Sequence, residues 1–126
     1  MPARELLIAV YKAFNARDVD SVLAVMHPDV DWPNGMEGGR VHGHSGVRDY
    51  WRRQWNLIDP HVEPVRIEED ESGRTVVDVH QVVRDLAGNV LSSQMVQHVY
   101  SIEGGFIERM DIREPQAPIE DSARSN

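Results

Sequence analysis

The stretch from Leu6 to Trp32 constrains the fold most strongly. Its residues, LLIAVYKAFNARDVDSVLAVMHPDVDW, contain two apolar stripes with helical spacing and then an alternating pattern, with no spacer between them. In the first stripe, apolar residues recur at i, i+3 and i+7 as Leu7, Val10 and Phe14. The second stripe comprises Val19, Val22, Leu23 and Met26. The stretch therefore predicts two short amphipathic helices in quick succession.

A strand is predicted directly after the second helix. Pro28 cannot continue an α-helix and disfavours helical backbone at the residue before it. Val30 and Trp32 then alternate with aspartates, as in a half-buried strand. Three elements in so little sequence imply a compact fold that mixes helices and strands.

Length and charge exclude several classes of protein. A chain of 126 residues suits one domain with one core. The net charge of −8 argues against nucleic-acid and membrane partners, because anionic phosphates attract basic patches. The chain has no cysteine, which excludes disulfides and thiolate sites. With no apparent targeting or membrane-spanning segment, we expect a cytoplasmic protein.

A glycine-containing loop and a third helix are predicted next. Residues 33–44 contain four glycines and no regular period, which predicts a mobile loop. Ser45 is a candidate N-cap for a helix that ends before Asp59-Pro60. One face of this helix carries Val47, Tyr50, Trp51, Gln54, Trp55 and Ile58.

The remainder of the chain is predicted to form four strands. The apolar period changes to two, and turn signals at 72–73, 87–89 and 104–105 separate strands near 62–71, 74–86, 90–103 and 106–113. Pro64 cannot donate a ladder hydrogen bond, so the first of these is expected at an edge of the sheet. We predict one domain over 1–113 and a disordered tail over 114–126.

The hairpin turns predict how the strands pair. If residues 104–105 form a two-residue loop, Val99 faces Met110 and His98 faces Asp111. If residues 87–89 form a three-residue loop, Asp78 also faces His98. One face, expected beneath the helices, would then carry Val77, Val79, Gln81, Val83, Met95, Gln97, Val99, Met110 and Ile112.

The opposite face of this predicted sheet is also partly apolar. It would carry Val76, Val82, Val96, Tyr100, Ile102 and Ile107 beside the row Asp78, His98, Asp111. A sheet with apolar residues on both faces usually buries both, so we expect a homodimer through this outer face.

The order of elements and three segments carry a family resemblance. The segments are FNARDVDSVLAVMHPDVDW, GHSGVRDYW and VQHVYSIEGGFI. The chain resembles the nuclear-transport-factor-2-like superfamily and, within it, the branch of SnoaL-like polyketide cyclases and ketosteroid isomerases. The resemblance implies an α+β fold shaped as a cone, a curved sheet around a hydrophobic cavity, and a dimer through the outer face of the sheet.

The resemblance also suggests site residues, and most isomerase roles are missing. Val10 takes the place of the oxyanion-binding tyrosine, with Tyr11 one residue away, and Asn34 falls at or near the catalytic base. Gln97 takes the place of a second hydrogen-bond donor. An isomerase mechanism is therefore not expected. The acidic residue of the cyclases has its nearest match in Asp111.

The candidate site residues allow more than one reading. His98 with Asp111 is the best catalytic pair, but a cross-strand ion pair of His98 with Asp111 and Asp78 at a subunit interface is the favoured interpretation. Gln97 could contact a ligand or satisfy a buried polar group. The expected cavity residues are Val10, Phe14, Trp32, Asn34, Tyr50, Trp51, Val79, Gln97, Val99 and Met110.

Three functional classes follow. The protein could be a cyclase- or isomerase-type enzyme acting on a hydrophobic cyclic or polyketide-like molecule. It could also bind such a molecule without converting it, or serve as a dimerising assembly module. We expect no cofactor and no metal, because two histidines on one loop, His42 and His44, are not a metal site without a further ligand.

Overall fold

The computed structural model describes residues 2–114 and contains three helices and six strands. The helices are α1 (Ala3–Asn15), α2 (Val19–Leu23) and α3 (Gly43–Leu57). The strands are β1 (Met26–Pro33), β2 (Arg40–His42), β3 (Ile58–Glu69), β4 (Thr75–Asp85), β5 (Val90–Glu103) and β6 (Phe106–Arg113). The tail predicted to be disordered lies almost entirely outside the described residues.

The strands form one curved, open sheet on which the helices pack. Its order is β2-β1-β6-β5-β4-β3, and among these pairs only β1 and β6 run parallel. The predicted cone-shaped α+β fold is confirmed. No helix within residues 2–114 is both long and apolar enough to cross a bilayer.

Polar side chains fix the ends of the first two helices. The Asn15 side chain, at the end of α1, donates to the Val62 carbonyl at 2.7 Å and accepts from the Val62 N–H at 3.0 Å. Arg17 adopts a left-handed backbone conformation with φ 63°. The Asp18 carboxylate then accepts from Ser21 at the start of α2. These contacts join α1 to β3 and turn the chain into α2.

The structure confirms one local prediction and corrects another. β3, which contains Pro64, lies at the edge of the sheet as expected. The predicted loop over 33–44, however, contains the short strand β2, which pairs with β1. The third helix begins at Gly43, before the expected cap at Ser45.

The predicted pairing of β5 with β6 is wrong by one residue. Glu103 faces Phe106 at the hairpin, as expected, but a bulge follows. Beyond this bulge, Val99 faces Asp111 and His98 faces Ile112. One extra residue on β6 shifts every later pair, so the expected pairing of His98 with Asp111 does not form.

The pairing of β4 with β5 is also shifted by one residue. β4 ends at Asp85, whose N–H donates to the Asn89 carbonyl at 2.8 Å, and its side chain accepts from the N–H groups of Ala87 and Asn89. The turn therefore lies one residue earlier than predicted, Arg84 faces Val90, and a bulge with one extra residue on β5 follows, which leaves a net shift of one. Asp78 faces Gln97 in place of His98.

Because of these two shifts, the β5 side chains lie on the opposite faces of the sheet from those predicted. Val96, His98 and Tyr100 lie on the inner face, whereas Gln97 and Val99 lie on the outer face. The expected outer face therefore loses Val96 and Tyr100. It also loses Ile107, which is fully buried in the core. The predicted faces of β4 and of the second half of β6 agree with the structure.

Candidate functional site

A cavity of about 350 Å³ lies between the helices and the inner face of the sheet. α1, α3, β1 and the sheet strands β3 to β6 all contribute to its walls. It is lined by Val10, Tyr11, Phe14, Trp32, Pro33, Gly35, Met36, Tyr50, Trp51, Gln54, Ile58, Pro60, Val62, Gln81, Val83, Gln94, Val96, His98, Tyr100, Met110 and Ile112. None of these residues carries a full charge at neutral pH, with His98 neutral as shown below.

Aromatic rings form much of the cavity wall. Trp51 packs edge-on against Trp32 with ring centroids 5.6 Å apart, and against Phe14 at 5.2 Å. Trp32 in turn lies 6.2 Å from Tyr100. These contacts hold the rings as one rigid surface, which suits a flat apolar ligand.

Three buried polar side chains of the cavity form one hydrogen-bonded chain, whereas Gln54, which also lines the cavity, has a buried Oε1 with no hydrogen-bond partner among the described residues. The Tyr100 hydroxyl donates to the Tyr11 hydroxyl at 2.8 Å. The Tyr11 hydroxyl lies 2.8 Å from His98 Nδ1. Because Tyr11 already accepts from Tyr100, its own proton is directed to Nδ1, and we assign the proton of the His98 ring to Nε2.

Burial keeps all three groups neutral. It lowers the pKa of His98 from 6.5 to about 4, because the charged imidazolium would lose its hydration. Burial likewise raises the pKa of Tyr11 and of Tyr100 well above their ordinary value. Near neutral pH the cavity therefore contains a neutral imidazole flanked by a neutral phenol.

The loop after β1 closes another side of the cavity. The Tyr50 hydroxyl accepts from the Gly35 N–H at 3.1 Å and from the Gln54 amide at 3.2 Å. The Asn34 amide donates to the Glu37 carboxylate at 2.8 Å, and its oxygen accepts from the Glu37 N–H. Asn34 is thus used inside the loop and does not line the cavity.

The predicted cavity residues divide into two groups. The structure brings six of them together around the cavity, namely Val10, Phe14, Trp32, Tyr50, Trp51 and Met110. Four do not line it, namely Asn34, Val79, Gln97 and Val99. Val79 is fully buried in the core. Gln97 and Val99 were placed inside by the register that the bulges overturn.

The predicted catalytic pair is separated by the sheet. His98 faces the cavity, whereas the Asp111 carboxylate accepts from Arg109 Nε at 2.9 Å and from Arg40 Nη1 at 3.1 Å. Hydrogen bonding from Arg109 is the main cause that lowers the pKa of Asp111. Asp31 completes this ion-pair cluster by accepting from both arginines. Asp111 therefore belongs to a structural ion-pair cluster and does not orient His98.

Tyr11 and Tyr100 are polar cavity residues that the sequence patterns did not predict to line the cavity. Tyr11 was noted only as a neighbour of Val10, and Tyr100 was assigned to the outer face. A signal for the shift exists in the sequence: Ile107 and Met110 are separated by two consecutive polar residues, which breaks the strand alternation. Such a break is typical of a β-bulge.

Metal chemistry finds no support in the described part of the chain. Within residues 2–114, no three histidine, cysteine, aspartate or glutamate side chains are grouped closely enough to hold a metal ion. The polar side chains that line the cavity are neutral, namely the imidazole of His98, the phenols of Tyr11, Tyr50 and Tyr100, and the amides of Gln54, Gln81 and Gln94.

Comparison with solved structures shows close matches over nearly the whole chain. TerC, co-crystallised with polyporic acid, is 26% identical with a TM-score of 0.78, over 99% of this chain and 97% of TerC. A protein of unknown function from Burkholderia pseudomallei, described as nuclear-transport-factor-2-like, is 27% identical with a TM-score of 0.75, over 96% and 94% of the two chains. A candidate polyketide cyclase from Pseudomonas putida is 21% identical with a TM-score of 0.77, over 98% and 97%.

Comparison at the level of sequence families gives a specific assignment. A search of curated protein sequences finds no match. The family model of the SnoaL-like domain matches residues 7–110, which include nearly all of the described helices and strands. The chain therefore belongs to the SnoaL-like domain family.

Proposed function

We propose that this protein is a cyclase- or isomerase-type enzyme that acts on a neutral, hydrophobic, ring-forming or polyketide-like molecule. The observation that carries the proposal is the Tyr100–Tyr11–His98 chain, which ends at a ring nitrogen in a cavity lined by aromatic, aliphatic and uncharged polar side chains. The Nε2–H of His98 has no hydrogen-bond partner within residues 2–114 and is left for the substrate.

The size and the walls of the cavity support this class of substrate. A volume of about 350 Å³ falls within the range of small-molecule sites. Because no charged side chain lines the cavity, a charged substrate would lose its hydration without gaining a partner. A flat apolar compound would instead stack on rings such as Trp32 and Trp51.

The chemistry that the site supports is polarisation of a carbonyl group. When a carbon nucleophile attacks a carbonyl, negative charge develops on the oxygen, and the His98 N–H would stabilise it there. No carboxylate lines the cavity to remove a proton. The nucleophile must therefore be a carbon whose C–H is already acidified by flanking carbonyls, so that its enol adds to the polarised carbonyl and the enol proton ends on the new alcohol.

The missing carboxylate also favours a second candidate, a protein that binds such a molecule without converting it. Both functions place the same ligand in the same cavity. TerC, a relative that was co-crystallised with polyporic acid, supports a ring compound as the ligand, and the uncharged walls of this cavity favour a neutral one. Only a turnover assay separates the two functions.

Binding can be tested by titrating the protein with 1,4-naphthoquinone, a neutral flat quinone, and following tryptophan fluorescence, since Trp32 and Trp51 line the cavity. We expect quenching in the unmodified protein and about tenfold weaker binding in His98→Phe, which loses the donor. His80→Phe is the matched control, because His80 is exposed and contacts Ser93. Absence of binding by the unmodified protein would contradict both candidate functions.

Turnover can be tested with a linear 1,3-polyketone analysed by liquid chromatography and mass spectrometry. An enzyme produces a cyclised isomer, or its dehydration product, faster than His98→Phe does. Tight binding with a rate equal to that of the buffer would favour the binding protein.

A further inference from the structure

The Tyr100–Tyr11–His98 chain has a fixed direction. Tyr100 is 1% exposed, and its hydroxyl contacts only Tyr11 among the described residues. In the first of its two possible directions, every O–H proton has an acceptor: Tyr100 donates to Tyr11, and Tyr11 donates to Nδ1. His98 then presents an N–H to the cavity.

The opposite direction leaves a proton without an acceptor. If Nδ1 donated to Tyr11, and Tyr11 to Tyr100, the Tyr100 proton would have no acceptor among the described residues, on a side chain that is only 1% exposed. In the first direction the unpaired proton is instead the Nε2–H of His98, a more exposed side chain that lines the cavity, where water or a ligand can accept it. A buried donor without an acceptor costs enough to disfavour the opposite direction by roughly tenfold or more. An unused lone pair on Tyr100, which the first direction leaves, is tolerated more easily.

We propose that His98 selects the group that it binds by the direction of this one hydrogen bond. At this position a compound that brings an acceptor oxygen, such as a ketone or a quinone, binds more tightly than a compound of the same shape that brings only an N–H or O–H donor, for which His98 offers no acceptor. This inference rests on the proposed function, since it requires that the cavity binds a flat ligand.

Tyr11 is the positioning residue in this scheme. Its hydroxyl is the only group bonded to Nδ1 among residues 2–114, and it therefore holds the ring in the form protonated at Nε2. Tyr100 lies one hydrogen bond further from His98 than Tyr11 does. If its hydroxyl is removed, Tyr11 can still donate to Nδ1, and reversal would still leave a buried proton without an acceptor.

Three planar tricyclic compounds of similar size test the selection. Fluorenone offers a carbonyl acceptor, carbazole offers an N–H donor, and fluorene offers neither. Binding is measured by calorimetry and by chemical-shift changes in the unmodified protein. We expect fluorenone to bind about tenfold more tightly than carbazole, and His98→Phe to abolish this difference.

The outcomes separate the two proposals. Equal binding of fluorenone and carbazole, or tighter binding of carbazole, would overturn the selection while leaving the proposed function intact. Failure of all three compounds and of 1,4-naphthoquinone to bind would overturn the proposed function and the selection with it.

Nitrogen-15 spectra of the unliganded protein test the direction without any ligand. The unmodified protein should show His98 protonated at Nε2, and a ring protonated at Nδ1 would overturn the inference. Tyr11→Phe should narrow the ratio of fluorenone to carbazole affinity and weaken the preference for Nε2, whereas Tyr100→Phe should retain the Nε2–H form. Identical behaviour of the two variants would show that Tyr11 does not position the ring.

Discussion

The buried neutral His98 should make the stability of this protein fall between pH 6.5 and pH 4. Its pKa is lowered to about 4 by burial, and the ring is only 7% exposed. In the unfolded chain the same ring titrates near its ordinary value of 6.5. Between these two values the unfolded state binds more protons, so the free energy of unfolding decreases as the pH falls.

The size of the effect follows from the shift in pKa. A shift from 6.5 to about 4 corresponds to about 3 kcal/mol when both states are fully protonated, at about 1.4 kcal/mol for each unit. At pH 5 about 2 kcal/mol of this is already lost, while near pH 7.5 the loss is negligible. Domains of this size are stable by roughly 5–15 kcal/mol, so the change is readily measured.

The assay is urea unfolding followed by circular dichroism at pH 7.5, 6 and 5. The unmodified protein is compared with His98→Gln, which removes the titrating ring, and with His80→Gln, which removes an exposed ring. Carboxylates with a lowered pKa, such as Asp70 and Asp85, occur in all three proteins, so their contribution cancels in the differences. We expect His98→Gln to lose about 2 kcal/mol less than the other two proteins between pH 7.5 and pH 5. Parallel stability profiles for all three would refute the assignment of His98 as a buried neutral ring.

Three further predictions concern stability and assembly. Arg40→Gln should lower the free energy of unfolding in urea by about 1–3 kcal/mol, because the half-buried Arg40 guanidinium joins β1, β2 and β6. The control Arg66→Gln, at an exposed site, should change it by less than about 0.5 kcal/mol. Asn15→Ala should cost about 2 kcal/mol in the same assay, because it removes two hydrogen bonds between α1 and β3. We also propose a homodimer through the outer face of the sheet. Sedimentation equilibrium at micromolar concentration should show a dimer, and Met95→Asp should dissociate it. The control Ile8→Asp, at a similarly exposed site on α1, should leave the dimer intact. A monomeric unmodified protein would refute the interface.

Local patterns in the sequence predicted most elements of the fold. The apolar stripes of α1 and α2 are separated by a break at Asn15 to Arg17, and the structure ends α1 at Asn15. Glycine-containing turns delimit β4, β5 and β6 within about two residues of the predicted ends. These features depend on neighbours in the chain, and a single sequence contains that information.

The register of strand pairing changes when a single residue is inserted, and the sequence patterns did not predict it correctly. One extra residue in β6 near its hairpin shifts the β5–β6 register by one. An earlier turn, followed by one extra residue in β5, shifts the β4–β5 register by one. Because side chains alternate across a strand, a shift of one residue exchanges its two faces. His98 thereby replaces Gln97 in the cavity, and a titratable ring stands where an amide was expected.

The same one-residue error has different consequences on a helix and on a strand. On α1, successive side chains are about 100° apart, so Val10 and Tyr11 both reach the cavity and either assignment keeps the helix face correct. On β5, successive side chains point in opposite directions, so Gln97 and His98 cannot both reach it. The chemistry of this cavity depends on one residue from each element, Tyr11 and His98, at 2.8 Å from each other. The sequence could predict that the α1 face next to Tyr11 lines the cavity, whereas the placement of His98 required knowledge of the β-bulges.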